Sequence, residues 1–214
     1  MSKNELYDAV AHTGKALAHG KRLEIVELLA QGERSVQELA GAVELKLSTA
    51  SAHLQVLRQA GLVAVRTEGT RIFYRLAGDD VAALMTVLCR VADVHQAEVA
   101  AARRAYLDHD GIRLVGREEL MASVARGTAL VLDVRPTQEY EAGHLPGAVS
   151  IPLEELADRL DEIPSDTEVV AYCRGRYCVL SYDAVRLLRA HGRDAVLLEE
   201  GVLEWRSDGM TVTS

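Results

Sequence analysis

The sequence predicts two domains. Residues 1–110 form a mainly α domain closed by a β-hairpin, and residues 111–214 form an α/β domain with a central parallel sheet. Three observations predict this. Apolar residues recur at helical spacing up to residue 60, then alternate with polar ones on both sides of Gly69-Thr70. After Asp110-Gly111 the pattern changes to short Val, Leu and Ala runs separated by amphipathic segments. A chain of 214 residues, 49% of them hydrophobic, has the length and the apolar content for two small cores.

The elements follow in order. Residues 4–18 read as a helix with a Leu6, Val10, Leu17 stripe, and residues 21–31 repeat the period with Leu23, Val26 and Leu29 before Gly32. Ser35 and Glu38 form a capping box at the start of VQELAGAV. The next helix spans 48–60, capped at Ser48 and closed by Gly61. LVAVRTE and RIFYRL are the two hairpin strands. Residues 79–108 read as one long Ala-rich helix, longer than a small domain needs, which points to packing against a second copy. In the second domain ALVLDVR (129–135), EVVAYC (168–173) and DAVLLE (194–199) are buried parallel strands. PLEELADRL and VLSYDAVRLLRAHG are helices between them.

Composition removes several classes of function. No run of about 18 apolar residues exists, so no membrane span is expected. The first twenty residues lack a secretory apolar stretch. Three cysteines make no disulfide framework, and a reducing cytoplasm is the expected compartment. The net charge is −8. Its distribution is uneven: residues 1–110 carry −1 and residues 111–214 carry −7, while residues 46–75 carry +4. A local basic surface is what nucleic acid requires.

Three helices followed by a hairpin is the winged helix-turn-helix order. On helix 48–60 the inward residues are Ala50, Leu54 and Leu57. The outward set is Ser48, Thr49, Ser51, Ala52, Gln55 and Arg58, whose short hydroxyls and amide suit base edges in a major groove. Arg66 and Arg71 on the hairpin reach phosphates. His53 reads either as a base reader or as a structural histidine. The run Thr49, Ser51, His53, Leu54, Leu57, Ala60, Gly61, Leu62, Val63 resembles the ArsR family of bacterial repressors, over residues 5–105. That resemblance implies a homodimer on a double-stranded DNA operator.

Many members of that family bind metal, through a Cys-x-Cys on the third helix or an Asp-x-His…His-x-x-Glu on the last. VQELAGAV has no cysteine. The last helix has Asp93 and His95, but the remaining positions fall on Tyr106 and His109. No metal site and no cofactor are therefore expected, with residual binding near Asp93, His95 and His109 left open. Cys89 lies among Leu84, Val87, Leu88 and Val91 and reads as a small buried hydrophobe.

Three segments of the second half resemble the rhodanese family: LDVRPTQEYEAGHLPGAVSIPL, AYCRGRYCVLS and LEEGVLEWRSDGMTV, the last with Glu200 and Thr211 where the family has Gly and Pro. A rhodanese-like fold with a central parallel sheet is implied. So is a sulfur donor such as thiosulfate, a persulfide or a polysulfide, attacked by Cys173 to give a persulfide. The loop Cys173, Arg174, Gly175, Arg176, Tyr177, Cys178 lies between a strand and a helix N-terminus. Converging amides there, with both arginines, favour a thiolate. A six-residue loop suits sulfur, whereas the family's phosphatase and arsenate-reductase relatives use seven residues for a larger oxyanion. Asp133, Arg135 and His144 match motif positions as braces. Cys178 is either a second thiol that attacks a Cys173 persulfide or a weak hydrogen-bonding group in place of serine. Two functional readings follow: a regulator that responds to reactive sulfur, and an active sulfurtransferase with an attached DNA-binding domain.

Overall fold

The computed structural model describes residues 2–107 and 111–213. Contacts group them into two compact units, Met1–Met85 and Thr86–Ser214.

The first unit contains α1 (Lys3–Leu17), α2 (Gly20–Gln31), β1 (Arg34–Ser35), α3 (Val36–Ala42), α4 (Leu47–Gln59), β2 (Val63–Glu68), β3 (Arg71–Leu76) and the start of α5 (Asp79–His95). Ile25, Val26 and Leu29 of α2, Leu39 of α3 and Ala50, Leu54 and Leu57 of α4 form its core. The Ser35–Glu38 capping box is present. The turn between α3 and α4 places Glu44 at φ 53°, a left-handed residue in a tight connection. Gly61 takes φ 72° after α4, where its amide and that of Leu62 return to the carbonyls of Arg58 and Leu57. The sheet order is β1-β3-β2, antiparallel throughout. Two details differ from the sequence reading. The N-cap of α4 is Lys46, with no side-chain cap, and Ser48 lies inside the helix. Bonds from the Thr49 and Ala50 amides to the Lys46 carbonyl fix that start ahead of Ser48.

The second unit takes the rest of α5, then α6 (Ala97–Leu107), β4 (Leu114–Val115), α7 (Arg117–Ala125), β5 (Ala129–Asp133), α8 (Thr137–Glu141), β6 (Val149–Ser150), α9 (Leu153–Leu156), β7 (Glu168–Tyr172), α10 (Leu180–Ala190), β8 (Ala195–Leu198) and α11 (Val202–Ser207). Its five strands are parallel, in the order β4-β8-β7-β5-β6. One face buries α9 and α10 with Leu107, and the other buries α7 and α11 with Leu120, Val202 and Trp205. Helices thus cover both faces, as an apolar parallel sheet requires.

The single helix expected over 79–108 is two helices, broken at Gln96. No glycine or proline stands at the break. The Gln96 carbonyl accepts from Val99 and Ala100 and so opens α6, while Asp93 turns toward Arg103 and Arg176. The compact units divide within α5, earlier than the change of sequence pattern at 110/111. The reason is that α5 from Cys89 on is bonded into the second unit. Asp108, His109 and Asp110 lie outside the described residues.

Candidate functional site: a cysteine loop and a basic helix face

The cysteine loop begins where β7 ends. Val169, Val170, Ala171 and Tyr172 are fully buried, so the strand is anchored on both faces and delivers Cys173 to the C-terminal edge of the sheet. Ligands of parallel sheets bind at that edge. The loop turns through a bond from the Cys178 amide to the Gly175 carbonyl, 3.0 Å. Helix α10 then starts at Leu180, one residue later than the sequence suggested.

The Cys173 sulfur is 3% exposed. Burial pushes its pKa up, but hydrogen bonds from the Cys178 thiol, the Ser181 hydroxyl and the Ser181 and Gly175 amides more than offset it. The net direction is down, toward thiolate. The Ser181 oxygen stands 3.3 Å from the sulfur. In the protonated form the Cys173 thiol donates to the Cys178 carbonyl at 3.5 Å. Cys178 moves the opposite way: its hydrogen bond to the Cys173 sulfur, its burial and the charge of Cys173 hold it well above the ordinary thiol range, against Arg174. The two thiols are therefore unequal, one disposed to be the anion and the other its proton donor.

Three buried carboxylates hold the loop, a role the sequence did not show for any of them, Asp93 having stood there only as part of a broken metal motif. Glu139 takes the Arg174 guanidinium through both oxygens, at 2.7–3.1 Å. Glu204 accepts from the Gly201 amide at 2.9 Å and the Arg176 amide at 3.3 Å; burial pushes its pKa up. Asp93 faces Arg176 at 3.4 Å and Arg103 at 3.7 Å. The arginines expected to stabilise the sulfur anion are thus engaged by carboxylates. The Ser181 hydroxyl and the Cys178 carbonyl stand closest to the sulfur, and hydrogen bonding from the Gly175 and Ser181 amides and the Cys178 thiol favours its anion. A side chain at Gly201 would collide with the backbone of Cys173, Arg174 and Gly175, so only glycine lets α11 approach the loop.

The loop also grips α5. Arg176 pairs with Asp93, and the Tyr177 hydroxyl donates to the Cys89 carbonyl at 3.4 Å. Burial pushes the Tyr177 pKa up and keeps that hydroxyl a donor. Around the loop, Asp133 and Arg135 form a fully buried pair that also binds the Tyr172 hydroxyl and the Gly143 carbonyl. His144 stacks on Tyr140 and bonds backbone to backbone with Thr213. These three are braces.

In the first unit α4 presents the expected face. Ser48, Thr49, Ala52, Gln55 and Arg58 are exposed and Ser51 is half-buried, while Ala50, Leu54 and Leu57 are fully buried. His53 is half-buried, its ring 4.5 Å from that of His19 at a tilt. Burial and the charges of His19 and Arg22 push its pKa down. On the hairpin Arg71 is exposed, whereas Arg66 is held by Glu33 and Glu68 at 2.6 Å each. No group of three or more His, Cys, Asp or Glu side chains able to hold a metal occurs among the described residues. His109 lies outside them, and the carboxylate of Asp93 faces two arginines. No helix among the described residues is long and apolar enough to cross a membrane.

Known proteins resemble both halves. The profile of the bacterial regulatory protein, arsR family, matches residues 19–65, and that of the rhodanese-like domain matches residues 116–208. An HTH-type transcriptional regulator of Mycobacterium tuberculosis is 51% identical over 210 residues, covering 98% of this chain and 92% of that protein. A sulfurtransferase of Allochromatium vinosum is 34% identical over 86 residues, covering 40% of this chain and 78% of its own length. Among solved structures, a homodimeric winged helix-turn-helix DNA-binding domain from Mycobacterium bovis is 53% identical, with a TM-score of 0.42. It covers 45% of this chain and 91% of that one.

Proposed function

This chain belongs to the arsR family of bacterial regulatory proteins, as a DNA-binding transcriptional regulator fused to a rhodanese-like domain, and on that premise we propose that Cys173 senses reactive sulfur and reports it to the DNA-binding half. The observation that carries the proposal is the grip of the cysteine loop on α5. Arg176 and Tyr177, within four residues of the reactive sulfur, bind Asp93 and the Cys89 carbonyl. Helix α5 is shared: its first residues belong to the unit that carries the DNA face and its last to the unit that carries the sulfur. A sulfur atom added to a site already closed to solvent displaces the loop, and displacement acts on those two long bonds first.

The DNA face is Ser48, Thr49, Ser51, Ala52, His53, Gln55 and Arg58 on α4, with Arg66 and Arg71 on the hairpin. The partner is a double-stranded operator read in its major groove. The regulator acts as a homodimer in the cytoplasm. Leu84, Val87, Leu88, Val91 and Val94 form an exposed apolar stripe along α5, and Leu6, Tyr7 and Val10 are exposed on α1. A stripe at that spacing is the seam of a helical pair. The donor is a sulfane compound such as thiosulfate, a persulfide or a polysulfide, and the anionic product is stabilised by the Gly175 and Ser181 amides.

A second reading, an active sulfurtransferase, is favoured by the same donor-lined sulfur and by the resemblance to a protein named sulfurtransferase. Burial of Cys173 weighs against rapid turnover, since each cycle must open the loop twice. Operator affinity of the full chain, measured by fluorescence anisotropy with and without polysulfide, decides. The sensor shifts the midpoint by at least about tenfold, roughly 1.4 kcal/mol, and Cys173→Ser abolishes the shift. An affinity unchanged by polysulfide, together with steady thiosulfate:cyanide turnover, replaces the sensor by the enzyme.

A further inference from the structure

We propose that Cys178 resolves the Cys173 persulfide, attacking Cys173 Sγ to form an internal disulfide and expelling the outer sulfur as hydrosulfide. The inference rests on the reading that Cys173 accepts sulfane sulfur, and it adds an outcome to that reading: the sulfur does not stay.

The geometry is that of a closed pair. The Cys178 amide bonds back to the Gly175 carbonyl, which curls the loop so that both cysteines face the same interior. Both residues are buried, at 3% and 8% exposure, and the Cys173 sulfur lies 3.5 Å from the Cys178 carbonyl oxygen, so the two cysteines stand side by side in the loop. No external thiol is needed to reach the persulfide, because the Cys178 residue borders the Cys173 sulfur within the same buried cluster. Solvent exclusion also protects a persulfide from small acceptors and leaves the neighbouring thiol as its nearest partner.

The chemistry balances without a further reagent. The Cys173 thiolate first takes the outer sulfur of thiosulfate, releasing sulfite. Cys178 then forms the S–S bond to Cys173 Sγ as the bond to the outer sulfur breaks. The proton that Cys178 had offered to Cys173 leaves on the outgoing sulfide as HS⁻. The zero-valent sulfur is reduced by two electrons, and the two thiols are oxidised to the disulfide. Hydrosulfide is the better leaving group compared with an alkyl thiolate, which directs attack to the inner sulfur.

The test uses the full-length reduced chain with thiosulfate under exclusion of air, followed by intact mass, sulfite, sulfide and a peptide map. Trypsin cuts after Arg174 and Arg176, so the cysteines part unless they are bonded. The wild type is expected to lose about 2 Da, to release one sulfite and one sulfide per chain, and to show the 173–178 link. Cys178→Ser keeps a hydroxyl donor beside Cys173. It is expected to gain about 32 Da at Cys173 with sulfite but no sulfide. A wild type that holds the adduct on Cys173 with Cys178 free, or that carries it on Cys178, overturns the inference and leaves the sensor standing. Absence of sulfite, adduct and link in both proteins overturns both.

Discussion

Cys173 is a buried sulfur set among hydrogen-bond donors as well as the Cys178 carbonyl, and the balance between burial and those donors bears on its chemistry. A thiol sealed among aliphatic groups is inert; here the Gly175 and Ser181 amides, the Ser181 hydroxyl and the Cys178 thiol outweigh the cost of burial. A depressed thiol pKa means that native-state stability gained from the thiolate is present at higher pH. It is lost as pH falls through the depressed value. Reactivity follows the same curve. Ser181→Ala removes one hydrogen bond to an anion, worth about 1.5–3 kcal/mol, and should raise the midpoint of the pH profile for sulfite release from thiosulfate by about one unit or more. An unmoved midpoint would show that the hydroxyl does not bind the anion. The cysteine, its loop and the Asp133–Arg135 brace are legible in the sequence because the motif is local. The partners of the loop are not, because Glu139, Glu204 and Asp93 lie 35, 28 and 83 positions from the residues they bind. An arginine beside a reactive cysteine reads as its counter-ion until the fold reveals a nearer carboxylate.

At the scale of elements, the buried face of α4 was legible in its pattern, though its N-cap was not. Period 3.6 placed Ala50, Leu54 and Leu57 inward, and all three are buried. The capping box of α3 and the β2–β3 hairpin were equally plain, since each is specified by residues a few positions apart. The two-residue strands β1, β4 and β6 were not. Alternation has no meaning over two residues, and only the partner strand defines them. The break at Gln96 is not legible because no glycine or proline marks it; only the restart of bonding at the Gln96 carbonyl defines it. The hairpin separates its two arginines. Arg71→Ala should weaken binding equally on all DNA sequences and reduce the salt slope by about one. Arg66→Ala should cost less, because Arg66 must first leave Glu33 and Glu68 before meeting a phosphate. Anisotropy titrations over a salt series check both. A sequence-selective loss at Arg71, or a larger loss at Arg66, would reverse these assignments.

At the scale of the whole molecule, one helix, α5, belongs to both compact units. Charge is divided accordingly. A net −8 chain keeps its positive segment, +4 over residues 46–75, on the DNA-reading unit, and confines most of its acidity to the sulfur-handling half. That division was visible at once from the sequence. The sequence pattern changes after residue 110, and the division between the compact units falls inside α5. On the proposed sensor reading, α5, whose first residues lie in the unit of the DNA face and whose last residues bond the cysteine loop, is the two-state element that both sites would bias. The measurement closest to this claim is amide hydrogen exchange over residues 86–95 of the full-length chain, before and after loading with thiosulfate. Faster exchange in the loaded wild type, with no change in Cys173→Ser, is the expected result, because release of Arg176 and Tyr177 frees that segment. Identical protection in loaded and unloaded wild type, with sulfur chemistry at Cys173 verified by mass, would contradict the account.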